Sequence, residues 1–159
     1  MEQLLLTQYE LVKGSRQALF TYCGTMNDED LFKQVPAFND SSIRDLLVHN
    51  INTYISWIDN FGLDGSRAFY NNTDVNSLDE IKQLFEQVDS IVNDFLTRKS
   101  DDYLKPQTKH IARKGITLTL SPLQLFTHVI THEFHHKGQM LTMSRQLGYI
   151  PADTDAIRY

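Results

Sequence analysis

Apolar residues recur at intervals of three, four and seven along four long stretches of the chain, each bounded by turn or capping signals. In the first, Leu4, Leu5, Leu11, Val12, Ala18, Leu19 and Tyr22 predict a helix that ends near Gly24. The second opens at Ser41 or Ser42, either of which suits an N-cap, and carries Ile43, Leu46, Leu47, Tyr54, Ile55, Ile58 and Phe61 up to Gly62. The third starts at Ser77, with Glu80 in capping-box position, and places Leu78, Ile81, Leu84, Phe85, Val88, Ile91, Val92 and Phe95 on one face. The fourth follows Ser121-Pro122 and runs to Gly148, where Gly-Tyr-Ile-Pro ends it. Four amphipathic helices predict an all-α fold, a four-helix bundle, formed by one domain over residues 1–159.

The connections, Thr25 to Asp40, Leu63 to Asn76 and Asp101 to Leu120, are too long for tight helix hairpins. They leave the helix order open. Asp28 to Gln34 has room for a short helix. Gly115 to Leu120 alternates as a strand does, but with no evident partner it is expected as an extended segment. Nothing in the chain reads as an internal repeat or a low-complexity tract.

Composition agrees with an ordinary globular protein: 41% apolar and 22% charged residues, 7 Gly and 4 Pro. The 20 acidic against 15 basic side chains leave a charge of -5, and no Lys/Arg cluster interrupts it, so no nucleic-acid partner is expected. The single cysteine, Cys23, has no partner for an internal disulfide. The start MEQLLLTQYE lacks the basic and apolar regions of a signal peptide, which points to the cytoplasm. No stretch approaches the roughly 20 apolar residues that span a bilayer, so no membrane partner is expected either.

Histidine changes the picture. The six stand at 49, 110, 128, 132, 135 and 136, four of them within nine residues of the last helix. Random scattering would give about 0.2 pairs spaced i,i+4. Two occur, 128/132 and 132/136. Residues four apart stack on one helix face, close enough for two imidazoles to share an ion. His132 and His136 continue the rhythm of Leu125, Val129, Met140, Met143 and Leu147, which predicts that they face inward. A hydrogen-bonded structural pair is the plainer reading, but two stacked inward imidazoles favour a metal.

A helix rises about 12 Å over eight residues, so 128, 132 and 136 cannot easily share one ion and the third ligand must come from another helix. His49, beside Leu46, Thr53 and Trp57, is the only histidine on the other three. His128 is expected to line a pocket at most, with a solvated position equally open, and His110, among Lys109, Arg113 and Lys114, is expected in a solvated loop. The string His132-Glu133-Phe134-His135-His136 also fits the HExxH pattern of zinc proteases, with Glu133 as general base. Its usual continuation is absent: Gln139 stands where one protease group has Gly, no His or Glu follows His136, and Asp153 or Asp155 would have to serve as third ligand. Glu133 is expected as a surface or rim carboxylate.

His49 within Leu-Leu-Val-His-Asn, the following Trp57, and the run His132-x-x-x-His136-Lys-Gly-Gln139 together resemble the DinB-like damage-inducible proteins over nearly the whole chain. The resemblance implies a four-helix bundle that holds one divalent metal on three histidines, here His49, His132 and His136. It also implies a homodimer. Some members of the wider group are thiol S-transferases that use bacillithiol, mycothiol or glutathione, and many have no assigned activity. The family name refers to induction by DNA damage and does not imply DNA binding.

Three neutral imidazoles would leave a divalent ion its full charge and an open position, as catalytic sites do. Imidazole suits zinc, nickel, copper or iron; zinc or nickel is expected first, with iron or manganese next. A water at such a site gives a hydrolase, and a low-molecular-weight thiol gives an S-transferase acting on a small-molecule substrate. With no carboxylate placed beside the ion as base, thiol transfer is favoured. A non-catalytic, metal-stabilised stress-response module is the third reading.

Overall fold

The computed structural model describes residues 1–111 and 115–158. The chain is mostly helical, with α1 at Glu2–Cys23, a short α2 at Asp28–Phe32, α3 at Ile43–Tyr54, α4 at Leu78–Arg98 and α5 at Pro122–Gln146. α1 packs on α4 and α5, and α3 packs on the same two helices. Among the described residues no helix is long and apolar enough to cross a membrane.

Capping residues set the helix starts. Ser42 begins α3: its hydroxyl accepts from Asp45 N while its own N–H donates to the Asp45 carboxylate. Ser41 lies one residue before the cap, in a short bridge where its carbonyl accepts from Val35 N. Ser121 caps α5 through the same reciprocal pair with Gln124, and Pro122 follows in the first turn. At α4, Ser77 accepts from Glu80 N, but the Glu80 carboxylate reaches back to Asn76 N instead of the cap residue. Past the end of α5, Gly148 takes φ +94°, a left-handed conformation that an L side chain rarely adopts.

Two connections differ from expectation. Beyond Tyr54 the second helix does not stay α-helical but continues as a π-helix over Ile55–Gly62. It ends where Gly62 packs on Phe95 so closely that a Cβ would lie 2.5 Å from the ring. The segment from Gly115 has a partner after all. β2 (Ile116–Leu120) pairs antiparallel with β1 (Gln107–Ile111), Gln107 opposite Leu120 and Ile111 opposite Ile116. β1, reading Gln-Thr-Lys-His-Ile, carries no apolar alternation that would reveal it. The hairpin docks on the π-helix, where Gln107 Nε2 donates to Phe61 O at 2.8 Å and Lys109 Nζ to Asn60 O at 3.1 Å. His110 is therefore on a strand, exposed, with Thr117 Oγ1 3.3 Å from its Nδ1; Arg113 and Lys114 of its expected loop lie outside the described residues.

The buried face of α1 is rotated from the expected stripe. Leu4 and Leu11 are 65% and 49% exposed; of the expected stripe Leu5, Val12, Leu19 and Tyr22 are buried, joined by Tyr9, Ser15, Arg16, Phe20 and Cys23. Arg16 thus points into the interior, only 3% exposed. There its Nε and Nη2 donate to the two Glu133 oxygens on α5 at 2.8 and 3.1 Å, and its Nη1 to Asp89 Oδ1 on α4 at 2.7 Å. Tyr54 of α3 donates to Glu133 Oε2 at 2.6 Å, and Tyr9 of α1 to Asp89 at 2.7 Å. The guanidinium also lies 4.4 Å from the centroid of the Phe85 ring. Burial works against its charge, but the Glu133 carboxylate together with Tyr9 and Tyr54 outweighs it, so Arg16 is held charged well beyond its ordinary range.

Glu133 is accordingly not a surface carboxylate: it is 6% exposed, inside the packing of all four long helices. A second buried contact follows one turn on, where Lys137 Nζ donates to Ser15 Oγ at 2.7 Å and to Thr154 O at 2.6 Å, fastening the C-terminal segment across α1.

Removing one partner of a buried ion pair leaves the other charge without compensation. Arg16→Met is expected to lower the free energy of unfolding by about 3–5 kcal/mol, read from urea denaturation, with a larger loss than Lys13→Met at the solvent-exposed pair with Glu10.

Candidate metal centre

The pairing of α3 and its π-helical extension with α5 runs antiparallel, as four contacts along it show. His49 meets His132 and His136, with ring centroids 5.0 and 4.8 Å away; Tyr54 meets Glu133; Trp57 meets His128 at 5.2 Å. Because Glu133 is drawn inward by Arg16, the rotation of α5 is fixed. At about 100° per residue, His132 and His136 then stand about 100° and 60° round the helix from Glu133, at the margin of the buried face. The expected seam position is corrected in this respect: both are half-buried, His49 is exposed, and the inward places belong to Leu125, Val129, Glu133, Met140 and Met143. An imidazole at the margin keeps one edge open to solvent and to ligands.

The structure brings together all three histidines singled out in the sequence. One ring nitrogen from each of His49, His132 and His136 lies within 4.8 Å of the others, and His132 Nε2 is 3.0 Å from His49 Nε2. Bonds of about 2.0–2.1 Å to a tetrahedral ion would set ligand nitrogens about 3.3–3.4 Å apart, so this donor set fits a divalent ion with small ring movements. Gln139 Oε1 lies 2.6 Å from His136 Nδ1. A carbonyl oxygen only accepts, so Nδ1 carries the hydrogen and Nε2 keeps the lone pair, the tautomer a ligating imidazole needs.

Protonation points the same way. Burial, then the neighbouring His136, His49, His128 and His135, lower the His132 pKa to about 4. Burial also lowers those of His49, His136 and His128, although the bond to Gln139 opposes the shift at His136. The cluster is held neutral and available for coordination.

Beside it, a cavity of about 470 Å³ opens between His49, His132, His128, Trp57 and Phe69. None of its lining side chains is Asp, Glu, Lys or Arg. His128 stands edge-on to Trp57, as a pocket wall. His135 is exposed on the outer side of His136, and Asp153 and Asp155 lie in the terminal segment outside the group of three. The HExxH reading loses its base, since both Glu133 oxygens are engaged by Arg16 and Tyr54.

Sequence reasoning missed Gln139 as an orienting group, although its place three residues after His136, one helical turn on, was available as a signal. Arg16 was also missed and Glu133 was placed at the surface, although their positions on the inward stripes of α1 and α5 were the clue. Phe69, in an irregular segment, carried none.

Fold and site together define a mostly helical protein with a candidate three-histidine metal site on two antiparallel helices. The profile of the DinB family matches residues 1–159, and the chain belongs to that family. It is 27% identical over 148 residues to the uncharacterized protein YizA of Bacillus subtilis (strain 168), covering 89% of this chain and 87% of that protein. It is 25% identical over 162 residues to Protein DinB of the same organism, covering 98% and 92%.

With a folded pKa of about 4 against 6.5 for an unperturbed histidine, the unfolded chain takes up its proton first as pH falls. Thermal unfolding of the metal-free protein is expected to shift to lower temperature between pH 6.5 and about 4, and His132→Gln should flatten part of that fall. An equally steep fall in the variant would remove His132 as its source.

Proposed function

We propose that this protein binds one divalent metal ion through His49, His132 and His136 and transfers a low-molecular-weight thiol to a small electrophilic substrate. The observation that carries this reading is the convergence of three neutral imidazoles beside a cavity with no carboxylate. Zinc or nickel suits the donors first, iron or manganese next. A divalent ion held there supplies positive charge and an open position, which favour the thiolate form of an incoming thiol.

His49, His132 and His136 act as ligands only, and Gln139 fixes the His136 ring. The thiol releases its proton to solvent, its sulfur provides the electron pair of the new bond to the electrophilic carbon, and the leaving group departs with the electrons of the broken bond. Hydrolysis would call for a base to take a proton from water, and the nearest candidate in sequence, Glu133, is committed to Arg16. α1, α3 with its π-helical extension, α4 and α5 are read as a four-helix bundle of one domain, acting in the cytoplasm as a homodimer.

Elemental analysis is expected to find about one ion per chain, lost in His49→Ala, His132→Ala or His136→Ala and retained in His110→Ala. Metal-loaded protein should conjugate 1-chloro-2,4-dinitrobenzene to at least one of cysteine, glutathione and bacillithiol faster than His136→Ala does. Equal rates for every thiol would contradict the transferase reading, and metal-dependent cleavage of ester substrates would replace it with a hydrolase.

A further inference from the structure

The cavity beside the three imidazoles has a chemistry of its own. Trp57 lies in the π-helical run Ile55–Gly62, a rare local conformation that recurs at functional sites. Its ring stands edge-on to His128, 5.2 Å away at 77°. Phe69, which lines the same cavity, is carried by an irregular segment that is fastened at several points. Gly65 N donates to Asp59 O at 2.9 Å, and its backbone lies so close to the Asp59 carboxylate that any side chain there would collide. Arg67 exchanges backbone bonds with the Asn60 amide at 2.8 and 3.0 Å, and its guanidinium pairs with Asp59. Asn52 grips Tyr70 through both backbone groups at 2.9 Å. Phe69 is thus held beside the cavity although 42% exposed.

Those bonds also commit the polar lining. The Asn52 amide is engaged with Tyr70, and the Thr53 hydroxyl donates to His49 O at 2.9 Å. Apart from Ser56, what remains are the rings of Trp57 and Phe69 and the imidazoles of His49, His128 and His132, whose pKa values are all lowered, with no charged side chain in the wall. A volume of about 470 Å³ is that of a site for a small ligand. A charged ligand body would lose hydration there without gaining an oppositely charged partner, whereas a flat, uncharged one would gain aromatic contacts.

We infer that the cavity walled by Trp57, Phe69 and His128 is the substrate seat, and that it selects an uncharged, ring-bearing molecule. The inference rests on the proposed transferase reading, in that the seat presents its occupant to a thiol at the imidazoles. The selection itself resides in the wall and is independent of the metal.

Trp57 is the only tryptophan in the chain, so 5-fluorotryptophan labelling gives one fluorine resonance that reports on this cavity. Metal-free protein is titrated with 2-naphthamide, 2-naphthoate and 2-naphthylmethylammonium, three molecules of nearly one shape and three charges. The expected result is a saturable shift with 2-naphthamide and affinity weaker by about tenfold or more for both ions, as an uncompensated charge dictates. Phe69→Ala and His128→Ala, both at exposed positions and tolerable to the fold, should each weaken 2-naphthamide by several-fold while leaving the helical circular dichroism unchanged. No shift with 2-naphthamide, equal affinity for the ions, or unchanged affinity in both variants would overturn the inference. Because metal is omitted, failure to bind metal or transfer a thiol leaves this result standing, and a negative result here leaves the metal content of the protein untouched.

Discussion

A guanidinium enclosed by four helices constrains everything around it. A buried charge is tolerated only where partners surround it, and Arg16 obtains them from Glu133 on α5 and Asp89 on α4, with Tyr9 and Tyr54 completing the set. Replacing an entire buried ion cluster by well-packed apolar side chains is often neutral in other proteins, whereas removing one partner is not. The cluster's importance here is in arrangement: each long helix contributes a side chain, and each must present it at one rotation.

The meeting of the three histidines follows from that rotation. With Glu133 turned inward, His132 and His136 come to the margin of α5, where His49 of α3 reaches them. Turned further in, the imidazoles would be sealed in the core; turned out, they would lose His49. The margin supplies both the desolvation that keeps the rings neutral and the opening that a ligand needs. The π-helix continues the same logic at the far end of α3, where it sets Trp57 against His128.

Much of this was legible in the chain. Period-3.6 patterns located the long helices, serines marked three of their starts, and histidine spacing picked out His132 and His136, to which His49 was added as the one histidine on the other helices. What was not legible depended on partners distant in sequence. β1 carries no alternation of its own and becomes a strand only against β2. Glu133 looked like a surface carboxylate because its cation lies 117 residues away. Leu4 and Leu11 satisfied the local rhythm of α1, yet the tertiary packing chose a face that includes Arg16. The histidines were placed one step too deep for the same reason, since the stripe of α5 was read without the pair that sets its rotation.

Three imidazoles, and no sulfur or carboxylate, are expected to hold the ion. Cys23 is buried on α1, its thiol pushed up to about 12, and it does not join the group. X-ray absorption at the zinc edge of zinc-loaded protein tests this directly. The account predicts three imidazole nitrogens at about 2.0–2.1 Å with a light exchangeable ligand, falling to two imidazoles or to no bound zinc in His136→Ala. A sulfur shell near 2.3 Å, or an imidazole count that His136→Ala leaves unchanged, would contradict it.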